Sequence, residues 1–169
     1  MKKGFTLIEL LIVMVIVGTL VAIALPKYQA ALERGRAQEA FANLKAASEL
    51  INTYYVLSDN DYAAARDKLV DSNGDFLKRW RESEFTKSRH FTAPHWLDNS
   101  VNPTEIYQSV WVGRRESENS QVYEYTLTAR NAGGALKDIV CSSSEAGLCE
   151  KLGMDYDETE ERYKISFTN

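Results

Sequence analysis

Residues 5–25 are the strongest constraint on what this chain can fold into. Seventeen of these 21 residues are apolar; Thr6, Glu9, Gly18 and Thr19 are the exceptions. As a helix the run is about 31 Å long at ~1.5 Å per residue, which matches a bilayer hydrocarbon core of ~30 Å. Lys2 and Lys3 precede it, and the positive-inside bias puts that end in the cytoplasm and everything after Pro26 on the far side. The remaining residues are much more polar, so the overall 44% hydrophobic content of the 169-residue chain averages two different materials. Collagen, coiled-coil, disulfide-dense and multi-span membrane classes are all excluded by that composition.

Three readings of the amino terminus compete. Ala22-Ile23-Ala24 supplies a small-x-small site for secretory cleavage. A permanent signal anchor needs only the length and the charges. Neither explains Glu9, a carboxylate that costs about 2.5–3.5 kcal/mol at mid-membrane and less near the interface. Glu9 is either a tolerated interfacial acid or one that awaits a positive partner within an assembly.

Gly4-Phe5-Thr6-Leu7-Ile8-Glu9-Leu10, behind a short basic leader, resembles the prepilin motif of type IV pilins and type II secretion pseudopilins. The resemblance covers roughly the first thirty residues and includes Gly18 and Pro26, which occupy the family's usual helix-softening positions. It implies that a prepilin peptidase cuts between Gly4 and Phe5 and methylates the new Phe5 amino group. It also implies that Glu9 of one subunit is neutralised by the amino terminus of a neighbour. A glycine costs about 1 kcal/mol relative to alanine in a helix and a proline ~3 kcal/mol, so Gly18 and Pro26 are weak points in any case. Losing residues 1–4 removes two lysines, which takes the net charge from −4 to −6 (−4 − 2).

From Lys27 onward the pattern becomes amphipathic. Ala37, Phe41, Leu44, Ala47, Ile51, Tyr54 and Tyr55 recur at three- and four-residue steps among charged residues. One helix is expected over 5–57, a rod of about 80 Å at ~1.5 Å per residue. Beyond Ser58-Asp59-Asn60-Asp61, residues 58–104 read as a short helix near Tyr62–Val70 followed by loops that cover a sheet edge. Alternation predicts strands at 106–112, 121–128, 136–140 and 161–167, with hairpin connections at 114–120 and 131–134. The expected fold is α+β and pilin-like, a long N-terminal helix packed on a C-terminal antiparallel sheet of about four strands spanning 105–169.

Cys141 and Cys149 fit no zinc or redox spacing. They are two buried thiols in a cytosolic protein, or a disulfide in an exported one. A disulfide here closes a shorter loop than many pilins do. Several other groups point to chemistry more weakly. Asp71-Ser-Asn73-Gly74-Asp75 opens like a calcium loop, with Glu82 at its twelfth position, but the sixth position is Phe76 rather than glycine, so an Asn-Gly turn is expected. Asp155, Asp157, Glu158, Glu160 and Glu161 read as a solvated acidic loop rather than a calcium site, and His90 and His95 as ordinary loop histidines. Residues 76–96 interleave Lys78, Arg79, Arg81, Lys87 and Arg89 with Trp80, Phe85, Phe91 and Trp96, a pattern that also occurs where single strands of nucleic acid bind. Here the aromatics are expected in the core, without nucleic-acid binding. No nucleophile–base arrangement or Gly-rich phosphate loop appears, so neither an enzyme nor a cofactor is expected, and no metal.

The resemblance therefore implies a structural subunit with a single span in a bacterial inner membrane and the bulk of its chain in the periplasm. Processing and the pilus assembly machinery would then turn it into a homopolymeric extracellular filament serving adhesion, motility or uptake. A secretion pseudopilin and a membrane-anchored binding domain that never polymerises are the alternatives.

Overall fold

The computed structural model describes residues 6–97, 108–115, 123–132 and 135–167. One helix, α1 (Leu7–Val56), spans 50 residues without a break, even at Pro26. From Leu7 to Leu25 its apolar side chains pack on nothing else among the described residues. Its second half buries Ala37, Ala40, Phe41, Leu44, Ala47, Ser48 and Ile51, one stripe at helical spacing. Three alanines in that stripe let the sheet approach the helix backbone closely. Left-handed backbone at Asp59 and Asn60, with φ of 54° and 63°, turns the chain after α1.

Helix α2 (Tyr62–Leu69) is capped by Asp61, whose Oδ1 accepts from the amides of Ala63 and Ala64. It buries Ala65 and Leu69, and Tyr62 stacks on Tyr55 at 4.2 Å. The Asn73-Gly74 turn forms as expected. Asp71 Oδ1 accepts from the amides of Asn73 and Asp75, and Gly74 has φ +86°. A one-and-a-half-turn helix, α3 (Lys78–Ser83), then interrupts the stretch expected to be loop. Asn43, buried on α1, holds the following segment by accepting from the Thr86 amide at 2.8 Å and donating to the Thr86 carbonyl at 2.9 Å.

The fold class is as expected, but among the described residues the antiparallel sheet has six strands rather than about four. They are β1 (His95–Leu97), β2 (Gln108–Arg115), β3 (Tyr123–Ala132), β4 (Ala135–Ser143), β5 (Asp155–Asp157) and β6 (Arg162–Ser166), in the order β1-β2-β3-β4-β6-β5. The two additional strands have three residues each, too short for alternation to register. Arg114 and Arg115, expected in a connection, end β2, and β3 continues to Ala132. Residues 116–120 and 133–134 of the expected connections lie outside the described residues. Val110 and Val112, Tyr125, Leu127 and Ala129, and Ile139 and Cys141 alternate onto the face that meets α1 and form one core with its stripe. A short helix, α4 (Leu148–Lys151), follows β4, and a disulfide joins Cys141 of β4 to Cys149 of α4.

Candidate assembly surface

The amino-terminal half of α1 has the arrangement of a helix that has left its partners elsewhere. From Leu7 to Leu25 every large apolar side chain is exposed, and the stretch is long and apolar enough to cross a membrane. Left in water, such a face strongly favours association with lipid or with other apolar helices. Gly18 lies within it, with nothing among the described residues within 4 Å of where a Cβ would stand. Pro26, which has no amide hydrogen, leaves the Ala22 carbonyl without its helical donor.

Glu9 lies one turn into α1, and its carboxylate folds back over the helix start. Its Oε2 accepts from the Thr6 amide at 2.8 Å and from the Thr6 hydroxyl at 2.7 Å, while the Thr6 oxygen accepts from the Glu9 amide at 3.4 Å. This reciprocal capping box satisfies two helix-end donors and sets a negative charge at the positive end of the helix dipole. The sequence reading missed it, although Thr6-x-x-Glu9 ahead of an apolar run is its signature. Gly4 and Phe5 lie outside the described residues.

Where α1 meets the head, Glu33 anchors it. Arg114 donates from Nε to Glu33 Oε1 at 2.5 Å and from Nη2 to Oε2 at 3.2 Å. Tyr125 donates its hydroxyl to Oε1 at 2.9 Å and Arg36 donates to Oε2 at 3.0 Å. Burial pushes the Glu33 carboxyl up, but these donors outweigh it and hold it below the usual carboxylate range. The Tyr125 phenol is driven well above its ordinary value by burial and by the adjacent carboxylate. Arg34 donates to the Lys151 carbonyl, tying α1 to α4. A cleft of about 790 Å³ opens beside this junction, between Pro26, Leu32 and Leu148. Sequence reasoning missed the anchor because its members stand 81 and 92 residues apart.

On the opposite face of the sheet, buried Asp138 of β4 accepts from Arg130 of β3, with Nε to Oδ1 at 2.6 Å. Glu160 adds a contact to Arg130 at 2.8 Å, and Lys164 of β6 pairs with both Glu160 and Asp157. Two of the five carboxylates in the acidic stretch are thus held by cations of this chain. Lys164 and the Thr159 and Glu160 amides hold the Asp157 carboxyl well below its usual range. Together with the disulfide, this network fixes the carboxy-terminal strands.

The remaining sequence candidates divide. Phe76, Phe91 and Trp96 are buried and Trp80 and Phe85 half-buried, so the aromatics of residues 76–96 belong to the core, as expected. His95 sits against Asp75 at 3.2 Å and makes an edge contact with Trp111, whereas His90 is half-buried elsewhere in the same segment.

A family model for the prokaryotic N-terminal methylation motif matches residues 1–25. A fimbrial protein of Neisseria meningitidis serogroup B is 45% identical over 151 residues, 87% of each chain. A fimbrial protein of serogroup A is 45% identical over 118 residues, 69% of each. A type IV major pilin protein of Neisseria gonorrhoeae is 45% identical over 83 residues, 46% of this chain and 50% of its own. No solved structure matches. With a methylation motif at its start and a fimbrial relative aligned along most of its length, the chain belongs to the type IV pilin family.

Proposed function

We propose that this chain is made as a membrane-resident precursor, cut between Gly4 and Phe5, methylated on Phe5, and polymerised with its own copies into a type IV pilus. The observation that carries this reading is α1 itself. Its second half buries one stripe against the sheet while its first half, apolar on all sides and headed by Glu9, has no packed partner among the described residues. In the proposed filament the first halves bundle in the centre and the heads form the surface. Lys2 and Lys3 support a cytoplasmic start and a periplasmic head before assembly. Residues 1–4 are then the leader, 5–25 the segment shared between membrane and filament core, and Gly18 and Pro26 the places where α1 loosens in passing from one to the other. Glu9 pairs with the Phe5 ammonium of a neighbour. Two charges paired out of water cost far less than either alone, and the pair sets axial register. The role is structural rather than enzymatic. The relatives' fimbrial names favour a pilus over a secretion pseudopilus.

Mass spectrometry of the mature amino terminus tests the reading. N-methylated Phe5 is expected, in filaments sheared from cells. A mature chain beginning at Met1 or at Leu25 defeats it.

A further inference from the structure

The cleft where α1 meets the head lies at a particular depth along the helix. Its wall on α1 begins with Pro26 and Lys27, the first two residues past the apolar segment, and continues to Leu32 and Arg36. At ~1.5 Å per residue, Pro26 to Ala30 rise about 7 Å beyond Leu25, and the headgroup layer on each side of a bilayer is about 5–8 Å deep. With residues 7–25 in the hydrocarbon, the mouth of the cleft is level with the lipid phosphates. Tyr28, exposed beside it on α1, is an aromatic residue of the type that settles at this boundary.

The lining has two characters. Leu148 of α4 and Leu152 just after it form an apolar floor opposite Leu32, and Arg34, donating to the Lys151 carbonyl, holds α4 against α1. Among the described residues, four cations and two carboxylates complete the lining. Arg36 and Arg114 are spent on Glu33, and Glu124 stands 3.8 Å from Arg114. Lys27 and Lys151 remain. Lys27 is exposed and makes no ion pair among the described residues, and Lys151 makes only an exposed one with Glu145 at 3.3 Å.

We propose that this cleft holds a phospholipid from the leaflet on the head's side of the membrane while the chain awaits assembly. Lys27 and Lys151 donate to the phosphate oxygens. Leu32, Leu148 and Leu152 cover the glycerol end and the first acyl carbons, and the rest of the acyl chains run on beside the apolar half of α1. Two exposed lysines hold a free phosphate weakly in water, where salt screens them. The membrane span changes this, because it fixes the cleft at headgroup depth and supplies the lipid at high effective concentration. The proposal rests on the membrane-resident reading above.

The test uses the full chain in vesicles of phosphatidylethanolamine and phosphatidylglycerol, with the photoreactive residue benzoylphenylalanine replacing Leu148 and, in a second variant, Leu32. Illumination is expected to add the mass of one phospholipid to the peptide carrying either position. No lipid adduct is expected when the probe replaces exposed Val56, about 46 Å further along α1 than Leu25 at ~1.5 Å per residue. Lys27→Glu with Lys151→Glu is expected to lower the lipid adduct at Leu32 about tenfold, whereas Lys27→Arg with Lys151→Arg keeps it. Adducts only to other copies of the chain, or a lipid adduct as strong in the glutamate variant as in the parent, overturn the site. A probe replacing Val15, within the apolar segment, reads the span by itself. Without a lipid adduct there the membrane reading fails; with one there and none at Leu32 or Leu148, only the cleft does.

Discussion

Tyr125, on the third strand of the sheet, donates its hydroxyl to Glu33, on the helix, at 2.9 Å, and the same oxygen accepts from Arg114. Arg114 and Tyr125 are buried, and Glu33 lies just beyond the apolar segment. The contact fixes the place at which the helix leaves the head, and with it the direction in which the exposed half projects.

Removing Glu33 takes from the buried Tyr125 phenol its acceptor and from buried Arg114 its nearest carboxylate, leaving it Glu124 at 3.8 Å. Glu33→Ala is expected to cost about 2–4 kcal/mol, read as a fall on the order of 10 °C in the unfolding temperature of the full chain in detergent. Tyr125→Phe removes one hydrogen bond and is expected to cost about 1 kcal/mol. In a double-mutant cycle, Glu33→Ala and Arg114→Ala should fall short of additivity by more than ~0.5 kcal/mol. Additive losses would mean that the pair is not coupled.

The same carboxylates give the head an acid limit. Glu33, Asp157 and Glu160 all titrate lower in the folded chain than in an unfolded one, where carboxylates lie near ~4. A depressed folded pKa contributes stability that is complete above the unfolded value and is lost as pH falls through the folded one. Stability should therefore vary little on the carboxylates' account between about pH 7 and 5 and decline below about pH 4. Glu33→Gln with Asp157→Asn should start lower and decline less steeply. Parallel pH profiles for the variant and the parent would sink this assignment.

Much of this molecule was legible in its sequence. The apolar run, the amphipathic continuation to Tyr55 and the alternation in β2, β3, β4 and β6 are periodic signals long enough to read. β1 and β5 were not, because His95-Trp96-Leu97 and Asp155-Tyr156-Asp157 are shorter than a detectable pattern. Arg114-Arg115 read as part of a polar turn because Glu-Ser-Glu-Asn-Ser follows it; only the folded chain supplies Glu33 as the partner that lets Arg114 be buried in a strand. Pairing across 81 residues leaves no trace in local composition. The capping box at Thr6 is the opposite case, a local signal present in the sequence.

The disulfide should act locally. Closing the short loop between Cys141 and Cys149 contributes about 2.5 kcal/mol in the chain-entropy model. Cys141→Ser with Cys149→Ser is expected to lower stability by about that much. Hydrogen exchange should speed up over 144–154, while the buried stripe of α1 stays protected. Uniform loss of protection along α1 would show that the loop holds more than its own neighbourhood.

Gly74 and Gly18 should respond oppositely to alanine. Gly74 has φ +86°, and a Cβ there would stand 2.5 Å from the Trp96 carbonyl oxygen, whose own residue is buried. Gly74→Ala is expected to cost about 1–3 kcal/mol. At Gly18 a Cβ meets nothing within 4 Å among the described residues, and alanine should firm the helix by about 1 kcal/mol. Circular dichroism and melting of the two full-length variants in detergent check both signs. A stabilised Gly74→Ala would mean the turn is freer than its geometry.

Glu9 has two roles that substitution can separate. As a cap it needs only an acceptor that reaches the Thr6 amide, and glutamine at that position preserves a capping box. As a charge it needs a cation, and glutamine removes the charge. Glu9→Gln should therefore keep the helix start and insert in the membrane at least as well as the parent, since a neutral side chain lowers the cost of burial there. It should nonetheless impair ordered assembly, as should Glu9→Val. Thr6→Ala makes the complementary change: it loses the hydroxyl half of the box, at about 1 kcal/mol of helix stability, and keeps the charge. Filament yield from sheared cells, set against membrane-inserted precursor, reads both. If Glu9 serves as the axial charge, Glu9→Gln assembles poorly and Thr6→Ala assembles well; the reverse order would make the carboxylate a cap and nothing more.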